Sequence, residues 1–94
     1  MAYNILIVDD STPMRAVIKK IVKASGFNVG QFFEAANGRE AIQQAQRHQP
    51  EMAILDIKMP YTDGLQAAAT ISRKQPMPIL LLTAYSDQKL IEQA

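Results

Sequence analysis

The chain has 94 residues, 48% of them hydrophobic, and this length and composition predict a single small globular domain. Ten basic residues against nine acidic ones give a formal net charge of +1, so the overall charge indicates neither nucleic-acid nor membrane binding. The absence of cysteine excludes disulfides and thiolate metal sites, and no apolar run approaches the roughly 18 residues of a membrane span. We therefore expect a soluble, cytoplasmic protein.

The first strand and helix are predicted from the N-terminal part of the chain. Residues 4–8 form a continuous β-branched and aliphatic run, which is typical of a strand buried on both faces of a parallel sheet. Thr12 is the expected N-cap of a helix with Pro13 at its first position. Apolar residues then recur at helical spacing until Gly26 ends the helix.

The second strand and helix have weaker but recognisable signals. Residues 29–34 combine strand propensity with polar residues and a glycine, which favours a position at the edge of the sheet. Asn37 and Glu40 resemble an N-cap with its reciprocal acid, and they predict a helix that ends before Pro50.

The second half of the chain repeats the alternation. Residues 52–56 form an apolar strand, and Asp63 is the expected cap of a third helix. Residues 78–83 form another apolar strand, and Ser86 and Asp87 begin a fourth helical pattern. Four alternating strand and helix units predict an α/β fold with a parallel sheet.

Acidic and hydroxyl residues follow three of the four predicted strands. Because right-handed connections place the C-terminal ends of parallel strands at one edge, we expect Asp9, Asp10, Asp56 and Thr83 to lie close together. Three converging carboxylates repel one another unless a pKa rises or a cation binds. Mg²⁺ prefers oxygen ligands and commonly shares its site with a phosphoryl group, so we expect a magnesium site here.

Three motifs at these strand ends resemble the receiver domain of two-component response regulators. They are Asp9-Asp10, Asp56-Ile57-Lys58-Met59-Pro60-Tyr61-Thr62-Asp63-Gly64 and Thr83-Ala84. The first half is most similar to chemotaxis-type receivers, and parts of the second half are more similar to antiterminator-type receivers. The resemblance extends over the whole chain and implies a flavodoxin-like, doubly wound parallel sheet with strand order 2-1-3-4-5.

The resemblance also implies a role for each motif residue. Asp56 corresponds to the phosphoryl acceptor, Asp9 and Asp10 to metal-binding acids, and the backbone carbonyl of Lys58 to a further ligand of Mg²⁺ beside Asp56. Thr83 corresponds to the hydroxyl that binds the phosphoryl oxygens and triggers the conformational switch. The implied partners are a histidine kinase, which donates the phosphoryl group, and an unidentified output protein. The implied phosphoprotein has no separate enzyme activity, beyond self-catalysed phosphotransfer and dephosphorylation.

The sequence departs from the receiver pattern at its C-terminal end. Receivers continue into a fifth strand that bears a lysine and then a fifth helix, and neither follows within these 94 residues. We therefore expect a receiver domain over residues 1–94 that is C-terminally incomplete. The alternative function is a truncated or engineered fragment that keeps the fold, does not switch, and self-associates through the apolar edge of its fourth strand as a homodimer or strand-exchanged oligomer.

Each motif residue also has a purely structural explanation. Asp9 and Asp10 could simply favour the N-terminus of the first helix, Asp56 could be a turn acid, and Thr83 could be an ordinary strand residue. A hydrolase of the haloacid type is a further alternative, but those enzymes use two aspartates separated by one residue. Asp9 and Asp10 are adjacent, which disfavours that class.

Overall fold

The computed structural model of the chain describes residues 2–56 and 61–82. Within these ranges strands and helices alternate in the order β1 (Tyr3–Val8), α1 (Thr12–Ala24), β2 (Val29–Ala35), α2 (Gly38–His48), β3 (Met52–Asp56), α3 (Tyr61–Lys74) and β4 (Ile79–Leu82). The predicted strands agree with the observed ones to within one residue at each end. The predicted fourth helix at Ser86 and Asp87 lies outside the described residues. None of the described helices is both long and apolar enough to cross a bilayer.

The four strands form one parallel sheet in the order β2-β1-β3-β4. Strand β2 lies at an edge, as its polar residues and glycine predicted, and the apolar strands β1 and β3 occupy the centre. This order confirms the flavodoxin-like, doubly wound arrangement for the strands that the structure describes. The central position of β1 and β3 matters because Asp9 directly follows β1 and Asp56 is the last residue of β3.

The core lies on both faces of the sheet because successive side chains of a strand point to opposite faces. Leu6 and Val8 of β1 pack into a cluster with residues of α2 and α3, whereas Ile5 and Ile7 pack with Ile18 of α1. The cluster on the α2 and α3 face is rich in small residues that allow the helices to approach the sheet closely: Ala35, Ala41, Ala45, Ala53 and Ala67. The burial of β1 on both faces agrees with its continuous apolar sequence.

Helix α1 begins one residue earlier than the sequence predicted. The N-cap is Ser11, whose Oγ accepts a hydrogen bond from the backbone N–H of Met14 at 3.2 Å, so the cap predicted at Thr12 was wrong. Thr12 and Pro13 are instead the first two helical residues. Serine and threonine are both good caps, and proline is tolerated throughout the first turn because the N–H it lacks has no helical partner there.

The third helix also begins earlier than predicted. It starts at Tyr61, so Asp63 belongs to its first turn, and the cap predicted at Asp63 was wrong. The sequence does not separate the two cases, since an acid is favourable both at the N-cap and within the first turn of a helix.

The N-cap predicted for α2 is confirmed. Asn37 Oδ1 accepts a hydrogen bond from the backbone N–H of Glu40 at 2.9 Å, and Glu40 Oε1 accepts one from the N–H of Ala36 at 2.9 Å. The acid therefore binds the residue before the cap rather than the cap itself. The two hydrogen bonds fix the connection between β2 and α2.

We expect Asn37→Ala to lower the free energy of unfolding by about 1 kcal/mol, because the N–H of Glu40 loses its acceptor. Urea denaturation followed by circular dichroism measures the effect. Gln43→Ala, an exposed substitution in the middle of the same helix, should change the stability by less than about 0.5 kcal/mol. Equal effects of the two substitutions would contradict the capping role.

Candidate functional site

The register of the sheet places Asp9 and Asp56 side by side. Val8 pairs with Leu55 in the neighbouring parallel strand, and the two aspartates are the next residues of their chains. Asp9 is 0% exposed and Asp56 is 1% exposed, and they are the only buried charged side chains within residues 2–56 and 66–81. Two carboxyl groups thus share the interior at the C-terminal edge of the sheet, the edge where ligands bind in open α/β folds.

The backbone around Asp9 is fixed on several sides. The N–H of Asp9 donates to the carbonyl oxygen of Ala35 at 3.0 Å, and the carbonyl oxygen of Asp9 accepts a hydrogen bond from Arg15 Nη1. Its Oδ1 accepts a hydrogen bond from the N–H of Ser11 at 2.8 Å. The other carboxylate oxygen, Oδ2, is buried and has no N–H or O–H donor among the described residues. A buried oxygen in this position requires a proton or a cation.

The electrostatics of the pair follow from this burial. The pKa of Asp9 rises from 3.8 to about 6, first because the carboxyl is buried and then because the neighbouring carboxyl of Asp56 acts on it through hydrogen bonding and charge repulsion. The carboxyl of Asp10 acts in the same direction, and the N–H of Ser11 opposes the shift. Repulsion between converging carboxylates is the situation that the sequence predicted for this edge.

The other predicted site residues are placed differently. Asp10 is adjacent to Asp9 but exposed, and no group of three or more acidic or histidine side chains in the described ranges is arranged to hold a metal ion. Lys58 and Thr83 lie outside the described residues. Thr83 follows Leu82, whose backbone pairs with Asp56. Of the three predicted site residues that the structure describes, Asp9 and Asp56 are therefore buried side by side and Asp10 is exposed.

The two buried carboxylates fit a magnesium ion. Mg²⁺ keeps several water ligands and is usually bound by one or two carboxylates together with phosphate oxygens. Asp9 and Asp56 supply two carboxylates, and Asp9 Oδ2 is a buried oxygen without a protein donor in the described part of the chain.

One group of charged residues beside the site was not predicted. Arg15 of α1 donates through Nε to Glu34 Oε1 at 2.9 Å and through Nη2 to Thr12 Oγ1 at 3.0 Å. Lys19 binds the second oxygen of Glu34, also at 2.9 Å. The two cations lower the pKa of Glu34. Helical spacing places Arg15 and Lys19 on one face of α1. Their partner Glu34 on β2 is distant in sequence, so no local sequence pattern predicts these ion pairs.

Comparisons with known proteins agree with this geometry. Residues 5–94 match a family model described as the response regulator receiver domain. The chemotaxis protein CheY of Listeria monocytogenes is 42% identical over 92 residues, which cover 97% of this chain and 76% of that protein. The transcriptional regulatory protein PdtaR of Mycobacterium tuberculosis is 37% identical over 91 residues, covering 97% of this chain and 43% of PdtaR. The chain thus spans less than half the length of PdtaR.

Solved structures show the same fold. The signal receiver domain of the response regulator NarL from Mycobacterium tuberculosis matches with a TM-score of 0.78 and 30% identity, over 98% of this chain and 74% of that chain. The architecture is therefore the α/β receiver fold of two-component systems. The chain belongs to the response regulator receiver domain family.

The raised pKa of Asp9 predicts a specific pH dependence of stability in the absence of metal. Between pH 4 and 6 the folded protein binds more protons at Asp9 than the unfolded chain does, so the contribution of Asp9 to the free energy of unfolding falls as the pH rises. We expect Asp9→Asn to remove this dependence and to stabilise the protein at pH 8 by about 2 kcal/mol.

Urea denaturation in EDTA at several pH values measures this difference between wild type and variant. Asp10→Asn is the matched control and should keep most of the dependence, because Asp9 and Asp56 still face each other. An Asp9→Asn variant that is less stable than wild type at pH 8 would show that the buried pair is not repulsive.

Proposed function

We propose that this receiver accepts a phosphoryl group from a histidine kinase onto Asp56 in the presence of Mg²⁺. The observation that supports the proposal most strongly is the position of Asp56, a buried carboxylate at the C-terminal end of a central strand, directly beside a second buried carboxylate. Family membership supports the same role. The protein would act as a cytoplasmic phosphoprotein and not as an enzyme on other substrates.

The proposed reaction is a single phosphoryl transfer. A carboxylate oxygen of Asp56 attacks the phosphorus of a phosphohistidine, the P–N bond breaks as the new P–O bond forms, and the imidazole leaves and takes up a proton. Phosphoryl transfer passes through a loose transition state, so it depends on in-line positioning and on neutralising charge. The fixed end of β3 provides the positioning of Asp56.

Charge neutralisation requires a cation, since the site already contains two buried carboxyl groups. Asp9 and Asp56 would hold Mg²⁺, with Asp10 and the backbone carbonyl of Lys58 as further ligands, and the ion would supply the positive charge that offsets the phosphoryl oxygens. Thr83 would donate its hydroxyl to a phosphoryl oxygen. Phosphorylation adds close to two negative charges, which would draw Thr83 inward and signal to an output protein.

We expect incubation with Mg²⁺ and acetyl phosphate to add one phosphoryl group to the chain, detected by intact-mass spectrometry. Asp56→Asn and addition of EDTA should each abolish the adduct. Asp63→Asn, which alters the next acid along the chain, is the matched control and should still be phosphorylated. An adduct that persists in Asp56→Asn would contradict the assignment of the acceptor.

A second candidate function, self-association through β4, is supported by the exposed apolar surface there. Leu80 and Leu81 are 47% and 45% exposed, and β4 pairs only with β3 in the described part of the sheet. Leu80 also lines an apolar groove of about 130 Å³ together with Ile18, Ile21, Val22 and Ile54. Uncharged edge strands pair readily with other strands, so we propose a second copy of this chain as the partner.

Self-association predicts a mass that increases with concentration in size-exclusion chromatography with light scattering. We expect Leu80→Lys to weaken association at least tenfold, since a charge would enter the apolar groove. Phe27→Lys changes an exposed apolar residue elsewhere and should leave the association unchanged. A wild-type chain that remains monomeric at all concentrations would exclude this candidate.

A further inference from the structure

We infer that Arg15 is a positioning residue for the divalent-cation site, acting through the backbone of the loop that contains Asp9 and Asp10. Glu34 in turn holds the guanidinium of Arg15. The inference rests on the proposed function, because it assumes that Asp9 and Asp10 bind Mg²⁺. It assigns a supporting role at the site to two further residues, Arg15 on α1 and Glu34 on β2.

The contacts of Arg15 connect three parts of the fold. Its side chain is 13% exposed, and its guanidinium donates to Glu34 on β2, to Thr12 in the first turn of α1 and to the carbonyl oxygen of Asp9. The carbonyl of Asp9 belongs to the peptide unit that joins Asp9 to Asp10. A hydrogen bond to that carbonyl therefore fixes the plane from which both acidic residues extend.

Two further hydrogen bonds hold Asp9 within the described part of the chain. The carbonyl of Ala35 holds its N–H, and the N–H of Ser11 holds its Oδ1. The Ser11 contact closes a turn that spans the peptide leading to Asp10, but among the described residues Arg15 is the side chain that binds the carbonyl oxygen of that peptide. Without Arg15 that carbonyl oxygen loses its side-chain donor, and the direction of Asp10 relative to the buried Oδ2 of Asp9 is held less firmly. Partners that orient metal ligands in this way typically change metal affinity by ten- to a hundredfold when they are removed.

An electrostatic effect and a positioning role of Arg15 predict opposite changes in Mg²⁺ affinity when Arg15 is removed, so the inference can be tested. Arg15 is a cation next to a site for another cation, so simple repulsion predicts that its removal tightens Mg²⁺ binding. A positioning role predicts that its removal weakens Mg²⁺ binding. Lysine keeps the charge but lacks the planar fork that reaches two acceptors at once, so Arg15→Lys tests position at constant charge.

Lys19 provides a matched control. It lies one helical turn beyond Arg15 and binds the same carboxylate of Glu34 at the same distance, but it has no contact with Asp9 among the described residues. Lys19→Ala therefore removes an ion pair to Glu34 without releasing the Asp9 carbonyl. Any effect that comes only from the surface ion pairs should appear equally in Lys19→Ala and Arg15→Ala.

Titration calorimetry with MgCl₂ on the full chain and its variants tests the inference, with circular dichroism to confirm folding. We expect the dissociation constant for Mg²⁺ to rise about tenfold in Arg15→Ala and several-fold in Arg15→Lys, and to change less than twofold in Lys19→Ala. Tighter or unchanged binding in Arg15→Ala would overturn the inference. If Arg15→Ala does not fold, Arg15→Lys decides alone, and an affinity equal to wild type overturns it.

The same titration separates this inference from the proposed function. A wild-type chain that binds Mg²⁺ while Arg15→Ala binds equally well contradicts only the role of Arg15. A folded wild-type chain that does not bind Mg²⁺ at all contradicts the proposed metal site, and the positioning role with it.

Discussion

Two carboxyl groups buried side by side are the constraint on which the site depends. Asp9 directly follows β1 and Asp56 is the last residue of β3, and their adjacency follows from the parallel register between these two central strands. Burial of like charges opposes folding, as the raised pKa of Asp9 indicates. The surrounding structure must therefore hold the pair in place until a cation or a proton offsets the repulsion.

The fold provides that support through the burial of the central strand and through contacts to its end. Ile5, Leu6, Ile7 and Val8 are all fully buried, so β1 has apolar contacts on both faces up to the residue before Asp9. Beyond Val8 the chain leaves the sheet, and hydrogen bonds replace apolar packing: Ala35, Ser11 and Arg15 each hold a different group of Asp9. The Ser11 cap and the ion pair between Arg15 and Glu34 thus help to hold the acidic site in place.

Local patterns in the sequence predicted most of the fold but fewer of the contacts at the site. Continuous apolar runs identified β1, β3 and β4, and the polar residues of β2 predicted its edge position, because these features depend on burial along one strand. The caps predicted at Thr12 and Asp63 were wrong, because Ser11 and Thr12 are equally good cap residues and because an acid is favourable both at the N-cap and within the first turn. Arg15 and Glu34 are 19 positions apart in the sequence, and no local pattern around either residue predicts that they form an ion pair.

The two edges of the described sheet differ in a way that bears on the site. Strand β2 has an irregular register near its start and bears Glu34, which is paired with cations from α1, and both features discourage further strand pairing. Strand β4 has no charged residue, and two of its leucines are about half exposed. An additional strand from any chain would therefore join at β4. Because Leu82 of β4 pairs with Asp56, a strand added there would stabilise the backbone next to the proposed acceptor, so association at this edge should be coupled to the proposed chemistry at Asp56.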